Sequence, residues 1–283
     1  MFAGSYASAD EDGIHVLKFD GDRGELRRIG GAGGIENPSF LAIDPARRRV
    51  YAVSERRTES AVAAFAFDPE TGRLTELGRR PTHGGLACHL QVHPSGRWLL
   101  AVNYLHGSAV CVFPLDEEGA PGPAVCRVEH SGKGAREDRQ ERPHPHSVFR
   151  MPGRDDRYLV PDLGTDTVYA YLFDAKTGEL RLIAENRLFA GGGPRHLACH
   201  RTLPIVYVFH EMGAAITVHE LDAEIGSLRQ LQRLSTLPAG RSPEEYPSGE
   251  IGAEILVSEA GDCVYASNRG HDSIAVFRVR PDG

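Results

Sequence analysis

The chain has 283 residues, 41% of them hydrophobic and 25% charged, which is the balance of a globular protein long enough to bury a sizeable core. A formal net charge of −7 with no long basic run argues against non-specific nucleic-acid binding, and no apolar stretch approaches the roughly 18 residues of a membrane span. Five cysteines without a C-x-x-C pair, behind an N-terminus with no secretion-signal pattern, read as reduced, mostly buried thiols of a soluble cytoplasmic protein.

Three strand-like stretches open the chain: "MFAGSY", "GIHVLKFD" and "ELRRIG". A unit then recurs. "NPSFLAIDPARRRVYAVSE", "ACHLQVHPSGRWLLAVNY", "PHSVFRMPGRDDRYLVPD", "PRHLACHRTLPIVYVFHE" and "AEILVSEAGDCVYASNR" each hold an apolar strand, a polar turn and a second strand. A third strand follows each, from "SAVAAFAFD" to "DSIAVFRV", and several continue through a turn such as "DPETGRL" into a fourth. Tyr51, Leu100, Tyr158, Tyr207 and Tyr265 occupy equivalent places at intervals of 49 or 58 residues. Four short strands repeating every ~50 residues are the signature of β-propeller blades, whereas a β-sandwich explains no fixed period. No amphipathic helix stands out. The fold class expected is therefore all-β, a propeller of four-stranded blades forming one domain over residues 1–283. The three opening strands match the second to fourth strands of a blade, and the chain stops after a third strand at "FRVRPDG". About one blade and the closing strand are expected to be lacking at the C-terminus.

Two polar segments break the rhythm, "EHSGKGAREDRQERPHPH" and "STLPAGRSPEEYPSGEIG". Gly, Pro and charge make them loops, and long loops on rigid scaffolds often carry function, so each is a candidate lid.

In a propeller the first strand of each blade lines the central channel. Read at the start of that strand, one column runs Ser39, Cys88, His146, Arg195, Ala253, and the next runs Phe40, His89, Ser147, His196, Glu254. At the end of the second strand the column runs Glu55, Tyr104, Asp162, Glu211, Arg269. Positions that only build a repeat carry similar residues in each copy; these are polar and different, as in a site specialised for one ligand. Each also has a plainer reading. Glu211 with Arg195 and Arg269 makes a structural ion network, and His89 and His196 serve as hydrogen-bonded core histidines. His144 and His146, two apart, would face one side of a strand, but no third histidine completes a zinc site. The carboxylates Glu55, Asp162, Glu211 and Glu254 could instead hold Ca²⁺ or Mg²⁺.

"RPHPHSV", "VPDLGTDTVYAY", "GGGPRHLACH", "QRLSTLP", "GAEILVS" and "YASNRGHDSIAVF" together resemble the lactonase family of seven-bladed propellers, which includes propeller-type 6-phosphogluconolactonases and carboxy-muconate lactonizing enzymes. The resemblance runs along essentially the whole chain. It implies a site of one histidine, two arginines and a glutamate. By motif these are His146 or its neighbour His144, Arg195 of G-P-R-H, Glu211 of "VFHEM" and Arg269 of N-R-G-H. His144, Asp162, His196, Glu254 and His89 are then expected to contact substrate. Leu256 stands where the family often has a histidine. The implied reaction is metal-independent hydrolysis of a small lactone, most simply 6-phospho-D-glucono-1,5-lactone, with no cofactor. Arginines suit a phosphate and a developing oxyanion, and no G-x-S-x-G nucleophile motif is present. Muconate lactonization, a metal-dependent gluconolactonase-like site and a non-catalytic binding propeller are the alternatives, and family likeness alone does not choose the substrate.

Overall fold

The computed structural model describes every residue except Ser108, Pro247 and Asp282. Ser108 heads the predicted strand "SAVCVFPLD" and Pro247 lies in the second polar segment, so those two positions fall outside the described residues.

The chain divides into two compact units. The first holds residues 1–129 with the turn at 175–179. Its strands are β1 (Phe2–Gly4), β2 (Ile14–Asp20) and β3 (Glu25–Ala32), then β4 (Leu41–Asp44), β5 (Arg49–Ser54), β6 (Ala61–Phe67) and β7 (Leu74–Pro81), then β8 (Ala87–Val92), β9 (Trp98–Asn103), β10 (Val110–Pro114) and β11 (Cys126–Val128). They form three antiparallel sheets in sequential order, β1–β3, β4–β7 and β8–β11.

The second unit repeats the plan. Its strands are β12 (Phe149–Arg150), β13 (Arg157–Asp162), β14 (Thr167–Phe173) and β15 (Leu180–Arg187), then β16 (Pro194–Cys199), β17 (Ile205–His210), β18 (Ala215–Asp222) and β19 (Ser227–Ser235), then β20 (Gly252–Val257), β21 (Cys263–Asn268) and β22 (Ser273–Arg278). Again there are three sequential antiparallel sheets, β12–β15, β16–β19 and β20–β22. Among the described residues the fold is thus six blade-like sheets, four of four strands and two of three, with a single 3₁₀ turn at Pro243–Glu245 as its one helical element. The expected strand repeat holds throughout, and the opening and last sheets carry three strands each.

Alternation of the strands turns one set of side chains between neighbouring sheets, and the cores lie there. Tyr51, Leu90, Leu99 and Phe113 pack together in the first unit, and Leu159, Val168, Leu197 and Val208 in the second. Of the expected repeating column, Tyr51, Leu100 and Tyr207 are buried and Tyr265 in the last sheet is 40% exposed; in β13 strand pairing makes Leu159 the equivalent, so Tyr158, also buried, is one residue out of the column. Of the five cysteine thiols, Cys111 is buried and the other four are half-buried, with no disulfide.

β12 is the shortest strand. Pro143 and Pro145 carry no N–H, and the chain ahead of Phe149 makes only an isolated bridge from Pro145 to Asp162. His144 and His146 therefore precede the strand rather than sharing one face of it.

A polar network is built into β17 and β18. Thr217 Oγ1 lies 2.8 Å from Nε2 of both His210 and His219. One hydroxyl proton serves one ring only, so one imidazole accepts from Thr217 and the other donates to it. Burial pushes His219 down to about 4 and, with the charges of His219 and Arg233, holds His210 well below 6.5. Above pH 6.5 both rings are neutral in the folded and unfolded chains. Below it the unfolded chain takes up protons that the folded one refuses, so stability falls as pH drops from 6.5 towards 4. The loss is about 3 kcal/mol at pH 4 from His219 alone. Urea unfolding is expected to show a clearly lower midpoint at pH 4.5 than at 7.5, with a smaller drop in His219→Gln. Equal pH dependence in the variant would remove His219 from the account.

Candidate active site

β-Bulges place the first column of polar residues. In the β16–β17 pair the register jumps between Pro194↔His210 and His196↔Phe209, leaving Arg195 as the extra residue. The same jump isolates Cys88 in β8–β9, and Ala253 and Glu254 in β20–β21. A bulge re-aims the side chain it carries and frees backbone groups from the ladder. Both effects are used here. Arg195 turns so that Nη1 donates to the carbonyl of Ala253 at 2.9 Å, and Arg269 Nη2 donates to the carbonyl of Gly252 at 3.0 Å.

Glu211 is where these side chains meet. It follows β17, its N–H bonds to Gly193 O, and its carbonyl accepts from Gly252 N–H. The side chain is only 4% exposed. Oε2 accepts from Arg195 Nε at 2.9 Å and Arg269 Nη2 at 2.8 Å, and Oε1 accepts from Arg139 Nη2 at 2.6 Å. Three guanidiniums thus converge on one carboxylate. Among the described residues, Arg195 Nη2 and Arg269 Nη1 make no hydrogen bond to protein. Arg269 is also the most open of the three, with 41% of its side chain exposed.

His146 and His196 pack edge to face, ring centres 5.3 Å apart. His146 is buried three residues ahead of β12, its N–H on Pro161 O, while Ser147 Oγ donates to the backbone carbonyl of Arg195. Burial, then the charges of Arg195, His196 and Arg269, holds His146 well below 6.5, so the ring is neutral at physiological pH. His196 is lowered by burial and by Arg195, against the pull of Glu254, whose Oε1 lies 3.0 Å from Nδ1. Glu254 itself would be raised by burial, but its hydrogen bond to His196 and the charges of His196 and Arg195 leave it lowered.

The third column holds for Glu211 and Arg269 and slips by one residue at Asp162. Glu211 N–H meets Gly193 O and Arg269 N–H meets Ile251 O, and the corresponding bond in the preceding sheet is from Leu163 N–H to His144 O. Leu163 is therefore the equivalent, and Asp162 aligns with His210 and Asn268 at the strand end. In a strand a one-residue shift reverses the side chain. Asp162 points into the turn: Oδ1 accepts from the N–H groups of His144 (2.8 Å), Gly164 (3.0 Å) and Thr165 (3.2 Å), and Oδ2 lies 2.6 Å from His130 Nδ1. His130 reaches Tyr171 OH through Nε2 at 2.9 Å and stacks on Tyr169. His144 turns to Glu141, whose Oε2 lies 3.2 Å from Nε2. Gly164 is glycine because a Cβ there would collide with the Arg142 carbonyl.

His89 lies in the first unit, buried beside Phe40 at 4.1 Å between ring centres. Glu55, also of the first unit, accepts from Tyr6 OH at 2.9 Å and from Ser39 Oγ. A cleft of about 560 Å³ in that unit is lined by Arg56, Arg79, Arg80, His83 and His106. Arg56 and Arg79 already pair with Glu36 and Glu76, and the cleft faces open solvent.

The residue that sequence reasoning misses is Arg139. It sits in the first polar segment, one of three arginines in "AREDRQER", and nothing in the pattern marks it from the others. Among the described residues no three His, Cys, Asp or Glu side chains converge as a metal site would require.

Residues 1–283 match the family described as "Lactonase, 7-bladed beta-propeller". The chain belongs to that family. Within this lactonase family, a 6-phosphogluconolactonase of Bacillus subtilis (strain 168) is 32% identical over 279 residues, covering 98% of this chain and 77% of the relative. A 6-phosphogluconolactonase of Pectobacterium atrosepticum is 28% identical over 279 residues, with 98% and 77% covered. The solved structure of a periplasmic gluconolactonase from Pseudomonas aeruginosa superposes with a TM-score of 0.88 at 29% identity, covering 99% of this chain and 78% of that one. Leu256, where the resemblance leads us to expect a histidine, is 60% exposed in β20.

Proposed function

We propose that this protein hydrolyses 6-phospho-D-glucono-1,5-lactone to 6-phospho-D-gluconate by direct attack of water. The observation that carries the reading is the convergence of Arg139, Arg195 and Arg269 on the one buried carboxylate of Glu211. Counting these four groups alone leaves two positive charges in excess, in a chain whose net charge is −7. A guanidinium left with donors to spare favours an anionic ligand, and a phosphate accepts two such donors at once. Relatives named 6-phosphogluconolactonase support the same substrate.

Geometry favours His146 over Glu211 as the base. Both oxygens of Glu211 are occupied by guanidiniums, whereas His146 is a neutral imidazole beside them. In this reading His146 takes a proton as water oxygen bonds to C1 of the lactone. Arg195 and Arg269 steady the charge that develops on the carbonyl oxygen and hold the phosphate. The C1–O5 bond then breaks, O5 leaves with the proton from His146, and the new acid ionises. His196 and Glu254 act as a hydrogen-bonded support for the His146 ring. The site is proposed to need no metal, and the five thiols without a disulfide suit a reducing cytoplasm.

The test is turnover of freshly made 6-phosphogluconolactone, glucono-1,5-lactone and a carboxy-muconate lactone, each with and without EDTA. Expected are EDTA-insensitive hydrolysis and a preference for the phosphorylated over the unphosphorylated sugar of about 10- to 100-fold, the worth of one or two charge-assisted bonds. Equal rates on both sugars would transfer the reading to a gluconolactonase. Because His146 stays neutral on passing below pH 6.5, kcat/KM is expected to fall only at lower pH. His146→Ala should lose about 100-fold and that acid limb together; an unchanged limb would remove His146 as the base.

A further inference from the structure

Arg139 lies in one polar segment and holds two groups outside it. Its Nη2 bonds Glu211 Oε1 at 2.6 Å and its Nη1 bonds the carbonyl of Ser248, in the other segment, at 2.9 Å. We propose that Arg139 is a positioning residue that ties both polar segments to Glu211 and so fixes the direction in which Arg195 and Arg269 point.

The first segment is built to present Arg139. His130 anchors its beginning against Asp162 and Tyr171. Gln140, next to Arg139, is buried. Its Oε1 accepts from Arg136 N–H at 2.9 Å, its Nε2 donates to Leu163 O at 2.7 Å, and its backbone closes turns to Arg136 and Gly134. The chain is thus held on both sides of the arginine, and its side chain is only 17% exposed. Both of its terminal nitrogens are committed to protein acceptors. In Arg195 and Arg269, by contrast, Nη2 and Nη1 respectively have no protein acceptor among the described residues. This separates a group that organises the carboxylate from groups that meet the ligand. Glu211 Oε1 would otherwise be a buried carboxylate oxygen able to rotate and take a second bond from Arg195 or Arg269, drawing those donors away from substrate. A lysine cannot replace the arginine here, since one ammonium does not span both acceptors in the way two Nη groups do.

The inference leans on the proposed lactonase activity for its kinetic arm only. Arg139→Lys and Arg139→Ala are compared with wild type by amide hydrogen exchange and by steady-state hydrolysis of 6-phosphogluconolactone. Expected is faster exchange in both variants over residues 130–146 and also over 236–252, which are far apart in sequence. Expected too is a fall in kcat/KM of about 10- to 100-fold, carried mainly by kcat, with the thermal midpoint little changed. Guanidinium ion at sub-denaturing concentration should restore part of the activity of Arg139→Ala. Faster exchange confined to 130–146 would overturn the coupling. A folded Arg139→Ala with kcat/KM within twofold of wild type would overturn the positioning role. If wild type fails to hydrolyse the lactone, the exchange result still decides whether the two segments are joined through Arg139.

Discussion

Glu211→Gln is expected to lower kcat/KM for the lactone by at least about 100-fold, the scale of losing a group on which transition-state donors depend. A glutamine keeps one acceptor oxygen, but its amide nitrogen would face a guanidinium, and the cluster of Arg139, Arg195 and Arg269 would then lack the carboxylate on which all three converge. The donors of Arg195 and Arg269 lose the anchor that directs them. Removing one partner of a buried charge cluster also destabilises, by about 3–5 kcal/mol, so turnover is compared at equal folded fraction, read by circular dichroism. Arg195→Ala tests the same arrangement from the other side and is expected to show a similar loss with a raised KM. A folded Glu211→Gln within threefold of wild type would mean that the carboxylate does not organise the site.

Asp162→Ala is expected to act on stability. Three backbone N–H groups and His130 lose their acceptor at once, in a turn with Asp162 fully buried. Orphaned buried donors cost about 1–3 kcal/mol each when nothing replaces the partner, and partial relaxation brings the expected total to about 3–5 kcal/mol. Asp162→Asn should recover part of this, because its amide oxygen can still accept from His144, Gly164 and Thr165. Urea unfolding gives the energies, and KM on the folded material separates the roles. Near-native stability with a raised KM would make Asp162 a substrate contact after all.

Much of the fold was legible because it repeats. Short apolar strands with a Tyr or Leu at 49- or 58-residue intervals carry their own period, and the packing of Tyr51 and Tyr207 into cores between neighbouring sheets shows why. Arg195, Glu211 and Arg269 were legible for the opposite reason, being polar and unlike one another where a repeat should be uniform. The bulges that aim them were not, since a register jump between Pro194 and His196 leaves no composition signal. Asp162 was misplaced by one residue because the turns after β13 and β17 look alike in sequence while backbone bonding from Leu163 sets the true alignment. His144 and His146 look equivalent in P-H-P-H, but the prolines keep them off the strand, and one turns to Glu141 while the other meets His196. Arg139 was hidden by its neighbours: in a run of charges, only the fold distinguishes the arginine that is held from those that are solvated.

The two polar segments start from different blade-like sheets, one ahead of β12 and the other ahead of β20, yet Arg139 joins them through Ser248 and Glu211. For protein engineering this makes them one exchangeable cassette. Grafting the first loop from a relative without the second would bring an arginine whose acceptor is set for another backbone, and grafting the second alone would move the Ser248 carbonyl away from its donor. Libraries that aim to change the lactone accepted by this scaffold should recombine both loops from the same parent, and variation within such a pair should be drawn jointly.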